Sequence, residues 1–193
     1  GLAHDFAARV GAAVGPAHAA AARAVTEDGF ALAPYRAVIW LVGDESVADH
    51  TFTAAERAAL DAYVAGGGRV ILSGSEIGFE LGPTGAGRAW LASLAGATYA
   101  TDDAGASAVR GAGPLAAVPT VGFGGAAAPY PEEYPDTFTP TGAGVAVLTY
   151  ATGAAAAVGV RGRAVVVGFP LEVIDRPADL AAVVAALLAF VGP

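Results

Sequence analysis

Two apolar, β-branched segments joined by one short amphipathic helix constrain the fold of this chain more than any other feature. Residues 35–42 and 69–73 both have the composition of strands that are buried on two faces. Between them, Thr53 and Glu56 have the spacing of a helix capping box, and three glycines at 66–68 end the helical pattern. The sequence therefore predicts a strand–helix–strand unit with parallel strands, the first of them central in its sheet.

The remaining sequence predicts further helices and strands around this unit. Helical spacing of apolar residues is found at about 6–14, 17–25, 86–94 and 178–191. Runs typical of strands are found at 97–100, 145–150, 154–160 and 164–169. The tight joint at 161–163 predicts that the last two runs form an antiparallel hairpin. Frequent Gly and Pro between 111 and 144 indicate irregular loops with one or two short strands.

Composition favours one domain and excludes several functions. A chain of 193 residues with 55% hydrophobic and 15% charged residues can bury a sizeable core, so residues 1–193 are expected to form a single domain. A net charge of −8 disfavours binding to nucleic acid or to anionic membranes. The absence of cysteine excludes disulfides and thiolate chemistry. The chain shows no signal peptide and no initiator Met, and we expect it to be part of a larger protein.

Several motifs together resemble a known family. They are the segments 35–46, 52–56, 63–78, 99–105, 134–136 and 168–172. This pattern resembles the class I glutamine amidotransferase-like domain of large secreted bacterial proteins named xanthan lyases or N-acetylmuramoyl-L-alanine amidases. The resemblance implies an α/β fold, a flavodoxin-like three-layer αβα sandwich, with a mostly parallel sheet and an antiparallel C-terminal hairpin. It also implies an extracellular or cell-surface location and the loss of the family's first strand.

The catalytic groups of active class I amidotransferases are missing from this sequence. Those enzymes use a cysteine nucleophile, a histidine that carries the proton and a glutamate that orients the histidine. The resemblance places Gly74 or Ser75 at the nucleophile, Pro170 at the histidine and Glu172 at the glutamate. No catalytic residue is predicted on this basis. We expect a non-catalytic accessory or interaction domain of a secreted hydrolase or surface protein, without a cofactor or a bound metal.

Ser75 also has a simpler interpretation than a nucleophile. The segment 74–78 differs from the Gly-x-Ser-x-Gly elbow of hydrolases because its second glycine comes one residue late. A helix N-cap is the role we favour for Ser75. Of the three histidines, only His50 is expected near the carboxyl ends of the strands, and a surface loop is its favoured place.

Six acidic residues follow predicted strands and could form one rim. With Ser75, they are the candidate ligand-binding residues Asp44, Glu45, Glu76, Asp102, Asp103 and Glu172. If they converge, they could bind a cation or hold one carboxyl group protonated for acid–base chemistry. Alternatively Asp44, Glu76 and Asp102 cap helices and turns or pair with arginines such as Arg36 and Arg88, and we favour this second interpretation.

Two further hypotheses concern ligands. Tyr130, Tyr134 and Phe138 could form an aromatic platform for a sugar or peptide, or could simply anchor a long loop. The alternative function to an interaction domain is a carboxylate-based hydrolase of a cell-wall or polysaccharide substrate that uses Glu76 and Glu172. The expected partners are other domains of the parent protein and a carbohydrate or peptide ligand.

Overall fold

The computed structural model describes residues 2–48 and 50–192, with side chains from residue 5 onwards. Its helices are α1 (Leu2–Val14), α2 (Ala22–Thr26), α3 (Ala54–Ala65), α4 (Ile77–Leu81), α5 (Gly85–Ala95) and α6 (Pro177–Val191). Short 3-10 helices lie at Gly113–Leu115 and Leu171–Val173. The strands are β1 (Ala37–Gly43), β2 (Arg69–Gly74), β3 (Ala97–Thr101), β4 (Ala108–Gly111), β5 (Val121–Gly122), β6 (Thr137–Pro140), β7 (Val145–Tyr150), β8 (Ala155–Val160) and β9 (Ala164–Val167).

The predicted strand–helix–strand unit is confirmed. Strand β1 pairs with β2 in parallel, with Val38 opposite Val70. The Thr53 hydroxyl accepts a hydrogen bond from the Glu56 amide at 3.2 Å, and the Glu56 carboxylate accepts one from the Thr53 amide at 2.7 Å. This reciprocal capping box fixes the start of α3. The prediction that the first strand is central is wrong, because β1 lies at the edge of the sheet with β2 beside it.

The expected flavodoxin-like sandwich with a mostly parallel sheet is wrong. The described residues form a mixed, curled half-barrel sheet of nine strands in the order β1-β2-β9-β8-β7-β4-β5, with β3 and β6 branching from β8. Only the pairs β1–β2 and β2–β9 are parallel among these strands. The physical reason lies in the second half of the chain, where short turns join β7 to β8 and β8 to β9. A parallel pair needs a crossover of roughly a dozen residues or more, so these neighbours must run antiparallel.

The C-terminal hairpin is confirmed, with Val158 opposite Val166 in the antiparallel pair β8–β9. Helices α1, α5 and α6 also form close to the predicted ranges. Helix α2 is much shorter than predicted, because residues 17–21 are not helical. Strand β4 was not predicted. In the part of the chain that the structure describes, no helix combines the length and the apolar character needed to cross a membrane.

The apolar core has two parts, one on each face of the sheet. Alternate residues of β2 and β9 point to opposite faces, as the pleat of a strand requires. Ile71 and Val165 therefore belong to the core under α6, while Leu72 and Val166 belong to the core under α3 and α5. Both central strands are completely buried along most of their length. This rigid centre fixes the position of the loops that follow β2 and β9.

Candidate functional site

The carboxyl ends of β1, β2 and β9 bring three of the predicted residues together. Parallel strands end at the same edge of a sheet, and open α/β sheets place their ligands at this edge. The Ser75 amide, just after β2, donates to the Gly43 carbonyl at the end of β1 at 2.9 Å. A Cβ atom on Gly43 would lie 3.6 Å from the Oε1 atom of Glu172, which follows β9. Asp44, next to Gly43, therefore shares this region with Ser75 and Glu172.

A loop from elsewhere in the sequence fills this crevice. The Tyr130 hydroxyl donates to Oε1 of Glu172 at 2.9 Å. The Ser75 hydroxyl donates to Oε1 of Glu132, a residue 57 positions further along the chain. The Tyr130 ring also packs against Phe6 of α1, with 5.2 Å between ring centroids. We refer to Asp44, Ser75, Tyr130, Glu132 and Glu172 as the strand-end cluster.

Burial dominates the electrostatics of the strand-end cluster. Glu172 is 0% exposed, and burial raises its pKa, an effect that the Tyr130 hydrogen bond and the Arg9 charge only partly offset. Burial also raises the pKa of Glu132 to about 7, and the nearby Asp44 charge acts in the same direction. The second oxygens of both glutamates, Oε2, are buried without a hydrogen-bond partner in the described part of the chain. Burial thus favours the protonated form of both carboxyl groups more than it would be favoured in an exposed glutamate.

Arg9 approaches the cluster from α1 without forming an ion pair with it. Its Nη2 atom donates to the carbonyl of Ile174 at 2.7 Å and to that of Asp175 at 3.3 Å. The guanidinium group is therefore held by backbone oxygens next to the 3-10 helix that carries Glu172. Helix α1 thereby covers one side of the strand-end cluster.

Glu76 and Asp102 lie in a different cluster, around the start of α4. Asp136 is 0% exposed and accepts hydrogen bonds from the amides of Gly78 at 2.6 Å and Phe79 at 3.2 Å. Burial raises the pKa of Asp136 to about 8, although these two amides favour its charged form. The charges of Asp102 and Glu76 raise that pKa further. The acidic candidates therefore do not converge on one rim, which was the interpretation that we did not favour.

The turn after β2 differs from the predicted N-cap. Glu76, not Ser75, occupies the cap position, with φ 53° and no capping hydrogen bond from its side chain. The capping function falls to Asp136, which comes from a distant loop. A Cβ atom on Gly74 would lie 2.0 Å from Cγ2 of Val42, so the first glycine of the motif is needed for close packing of β1 against β2. The motif at 74–78 is thus explained by packing.

Asp103 and Glu45 are the remaining acidic candidates. Oδ1 of Asp103 accepts from the Gly105 amide at 2.8 Å and stabilises a turn. Glu45 is exposed, and its amide donates to the Val42 carbonyl at 3.3 Å. Pairing of the acids with Arg88 is wrong, because the Nε atom of Arg88 donates to the Gly82 carbonyl at 3.0 Å. The ion pairs found among residues 5–48 and 50–192 are His50–Glu80 and Arg176–Asp179.

The histidines with described side chains point away from Ser75. Nδ1 of His18 is 2.8 Å from the Tyr35 hydroxyl, and Nδ1 of His50 is 2.8 Å from Glu80. The side chain of His4 lies outside the described residues. Pro170 precedes the 3-10 helix of Glu172 at the position predicted for a relay histidine. Ser75 therefore has a carboxyl group, and not an imidazole, as its hydrogen-bond partner.

The three aromatic residues of the long loop do not form one platform. Tyr130 lies in the strand-end cluster, Phe138 is buried in the core, and Tyr134 is 49% exposed. No group of three or more His, Asp or Glu side chains within the described ranges is arranged to hold a metal ion. Two concavities stand out on the described surface, of about 570 and 320 Å³, and neither is lined by the strand-end cluster.

Sequence reasoning missed Glu132 and Asp136. For Tyr130, the contact with Glu172 agrees with the second of its two predicted roles, that of anchoring a long loop. A carboxyl group buried by tertiary contacts leaves no periodic pattern in the sequence, and the available signal was the aromatic, proline-rich and acidic segment at 129–136.

Comparisons with known proteins define the fold and no more. No family model and no curated protein matches the sequence. Among solved structures, the mmIFT52 N-terminal domain is similar with a TM-score of 0.53 and 16% identity over 84% of this chain and 80% of that one. A ThuA-like protein from Bacteroides uniformis has a TM-score of 0.49 and 14% identity over 80% of this chain and 69% of that one. The first similarity, at this identity, shows a shared fold alone.

These comparisons correct the resemblance drawn from the sequence. The neighbour with a TM-score of 0.53, the mmIFT52 N-terminal domain, does not carry the name of a xanthan lyase or an N-acetylmuramoyl-L-alanine amidase. The membership predicted from the motifs is wrong, and a secreted location that depended on it has no remaining support. The motifs reflect the local needs of a strand–helix–strand unit, which many α/β chains share.

Proposed function

We propose that this chain is a non-catalytic binding domain of a larger protein. The observation that supports the proposal is the filled crevice: Tyr130 and Glu132 bind Glu172 and Ser75 where a substrate would have to lie. Ser75 is 3% exposed and Glu172 is 0% exposed. A nucleophile must be able to reach a substrate carbonyl, and a proton carrier must lie between the nucleophile and the group that orients the carrier. Neither condition is met by the buried pair Ser75 and Glu172.

The proposed partners are other domains of the parent protein and a carbohydrate or peptide ligand. The mmIFT52 structure is, by its name, the N-terminal domain of a longer protein, so this fold occurs as one part of a larger chain. The acidic surface argues for a neutral or basic ligand, because the net charge of −8 repels polyanions.

One observation favours an alternative function, that of a carboxylate-based hydrolase. The Glu132 carboxyl accepts the Ser75 hydroxyl hydrogen bond, and burial raises the Glu132 pKa to about 7. A base with a pKa close to the working pH is well suited to remove a proton from a hydroxyl group. In this alternative Glu132 replaces Glu76, which lies in the other acidic cluster, and the loop at 129–136 would have to open to admit substrate.

Hydrolysis assays on matched variants distinguish the two functions. The substrates are glutamine, p-nitrophenyl esters and soluble peptidoglycan fragments, and the proteins are the wild type, Ser75→Ala and Glu132→Gln. Glu133→Gln is the control, because it neutralises the neighbouring, exposed carboxylate. A binding domain is expected to give the same background rate in all four proteins. Turnover that is lost in Ser75→Ala and Glu132→Gln but kept in Glu133→Gln would establish the hydrolase instead.

Calorimetry checks the binding part of the proposal. Titration with soluble peptidoglycan fragments and with a neutral polysaccharide is expected to give binding without turnover, unchanged in Ser75→Ala. If neither probe binds, the carbohydrate or peptide ligand is excluded, and other domains of the parent protein are left as the proposed partners.

A further inference from the structure

The larger concavity, about 570 Å³, lies at the opposite end of the sheet from the strand-end cluster. Its walls come from α3, α5, the start of β2 and the turn between β8 and β9. The residues that matter chemically are Asp61, Arg69, Trp90, Ser93 and Arg163. A volume of this size is within the range of roughly 300 to 1,000 Å³ that is typical of small-molecule sites.

Two arginines far apart in the sequence lie side by side in this groove. Strands β2 and β9 are parallel neighbours with Val70 opposite Ala164, so the preceding residues Arg69 and Arg163 are neighbours too. The Val70 amide donates to the Arg163 carbonyl at 3.1 Å, which fixes this relationship. Neighbouring strands are about 4.8 Å apart, so the two side chains start from adjacent backbone positions, where like charges are unfavourable.

The two guanidinium groups have no anionic partner in the described part of the chain. Arg69 donates from Nη1 to the carbonyls of Gly67 and Gly68, the latter at 3.3 Å, while its Nε atom is buried without a partner. Among the described residues, the Arg163 side chain has neither an ion pair nor a hydrogen bond. Asp61 lines the same groove, but its Oδ1 atom accepts from Nε1 of Trp90 at 2.9 Å, and it lies beyond ion-pair distance of both arginines.

We propose that this groove binds a small organic oxyanion, a carboxylate or a phosphate ester, through Arg69 and Arg163. The anion relieves the repulsion between the two guanidinium groups, which present planar arrays of N–H donors suited to such oxygens. Trp90 and Val64 offer apolar contact to the rest of the ligand, and Ser93 offers a hydroxyl group. The net charge of −8 disfavours a long polyanion.

Isothermal titration calorimetry with three probes tests the site at constant ionic strength, with sodium chloride as the reference salt. The probes are inorganic phosphate, phenyl phosphate and benzoate. Phenyl phosphate or benzoate is expected to bind more tightly than inorganic phosphate, because the ring contacts Trp90. Tighter binding of phenyl phosphate identifies the preferred oxyanion as a phosphate ester, and tighter binding of benzoate identifies it as a carboxylate.

Matched variants locate the binding. Arg163→Gln is expected to weaken the affinity roughly tenfold to a hundredfold, the effect of losing a charged hydrogen bond. Arg161→Gln removes the same charge two residues away, but Arg161 lies over the Phe190 ring, 5.1 Å from its centroid, on the α6 side. The Arg161→Gln variant is expected to bind the probes with the same affinity as the wild type.

A third variant keeps the proposal testable if Arg163→Gln does not fold. Ser93→Tyr keeps both arginines and fills the groove from an exposed helix position, so it is expected to abolish binding. The proposal is overturned if no probe binds the wild type beyond the chloride reference. It is also overturned if Arg161→Gln weakens binding as much as Arg163→Gln, or if Ser93→Tyr binds like the wild type.

Discussion

The Tyr130 hydroxyl lies 2.9 Å from Oε1 of Glu172, a carboxyl group that is completely buried. Tyr130 belongs to the long loop before β6, and Glu172 follows β9 at the centre of the sheet. The contact therefore ties the loop to the core, and it provides Glu172 with a side-chain donor.

Tyr130→Phe is expected to destabilise the fold by roughly 1–3 kcal/mol, because a buried acceptor loses its donor. Urea unfolding measures the change. Tyr134→Phe is the matched control, since Tyr134 is 49% exposed, and it is expected to leave the midpoint unchanged. Equal effects of the two substitutions would show that the contact with Glu172 adds nothing to stability.

The free energy of unfolding is expected to fall as the pH rises from about 4 to about 8. Burial raises the pKa of Glu132 from 4.5 to about 7 and that of Asp136 from 3.8 to about 8. A group with a raised folded-state pKa holds its proton in the fold at a pH where the unfolded chain has lost it. Each such group lowers stability by up to about 1.4 kcal/mol per pH unit within its window.

Variants assign this pH dependence to the two carboxyl groups. Glu132→Gln and Asp136→Asn are each expected to make the plot of unfolding free energy against pH flatter between pH 4 and pH 8. Glu133→Gln, which neutralises an exposed neighbour, is the control and should keep the wild-type slope. A slope that none of the three substitutions changes would argue that other groups cause the dependence.

Gly74→Ala is expected to destabilise the fold by about 1–3 kcal/mol through overpacking. The added methyl group would lie 2.0 Å from Cγ2 of Val42 and 3.1 Å from the Gly43 carbonyl oxygen, so β1 would have to move. Gly85→Ala, at the start of α5, is the control because nothing lies within 4 Å of its added Cβ atom. That control is expected to stabilise by roughly 0.4–1 kcal/mol. Thermal unfolding of both variants is the measurement. A higher midpoint temperature for Gly74→Ala than for Gly85→Ala would show that Gly74 is not needed for close packing.

Thr53→Ala is expected to cost about 1 kcal/mol, since the first turn of α3 loses a hydrogen-bond acceptor. Thr53→Ser keeps the hydroxyl group and should recover most of this stability. Chemical denaturation of the two variants is the measurement, and an equally large loss in Thr53→Ser would point to the methyl group instead of the cap.

The parts of the fold that the sequence predicted correctly depend on local signals. The capping box of Thr53 and Glu56 and the apolar runs of β1 and β2 lie within one strand–helix–strand unit. The hairpin β8–β9 is also local, because its turn is short. The order of the strands is not local: β6 reaches both β3 and β8, and nothing in its own four residues specifies these partners. The flavodoxin-like sandwich predicted from the motifs was therefore wrong in the second half of the chain, where the strands pair antiparallel.

The strand-end cluster was predicted in part for the same reason. Asp44 and Glu172 were identified because each follows a predicted strand, and Ser75 because the resemblance places it at the nucleophile position. Glu132 joins them through a hydrogen bond to Ser75 across 57 positions, and Asp136 caps α4 across 58. The Arg69–Arg163 pair was hidden likewise, because the arginines look isolated in the sequence and meet only when β2 and β9 pair.

Strand β9, the last strand of the described residues in sequence order, is one of the most central in the sheet. Strand β9 inserts between β2 and β8, and its side chains complete both cores. Until Ala164–Val167 leave the ribosome, β2 and β8 each have an apolar edge with unpaired backbone groups, which invites association with other nascent chains. Folding should thus wait until β9 has been synthesised. In a cell-free synthesis, fragments that stop before residue 164 are expected in the insoluble fraction. Fragments that include β9 and α6 are expected to stay in solution.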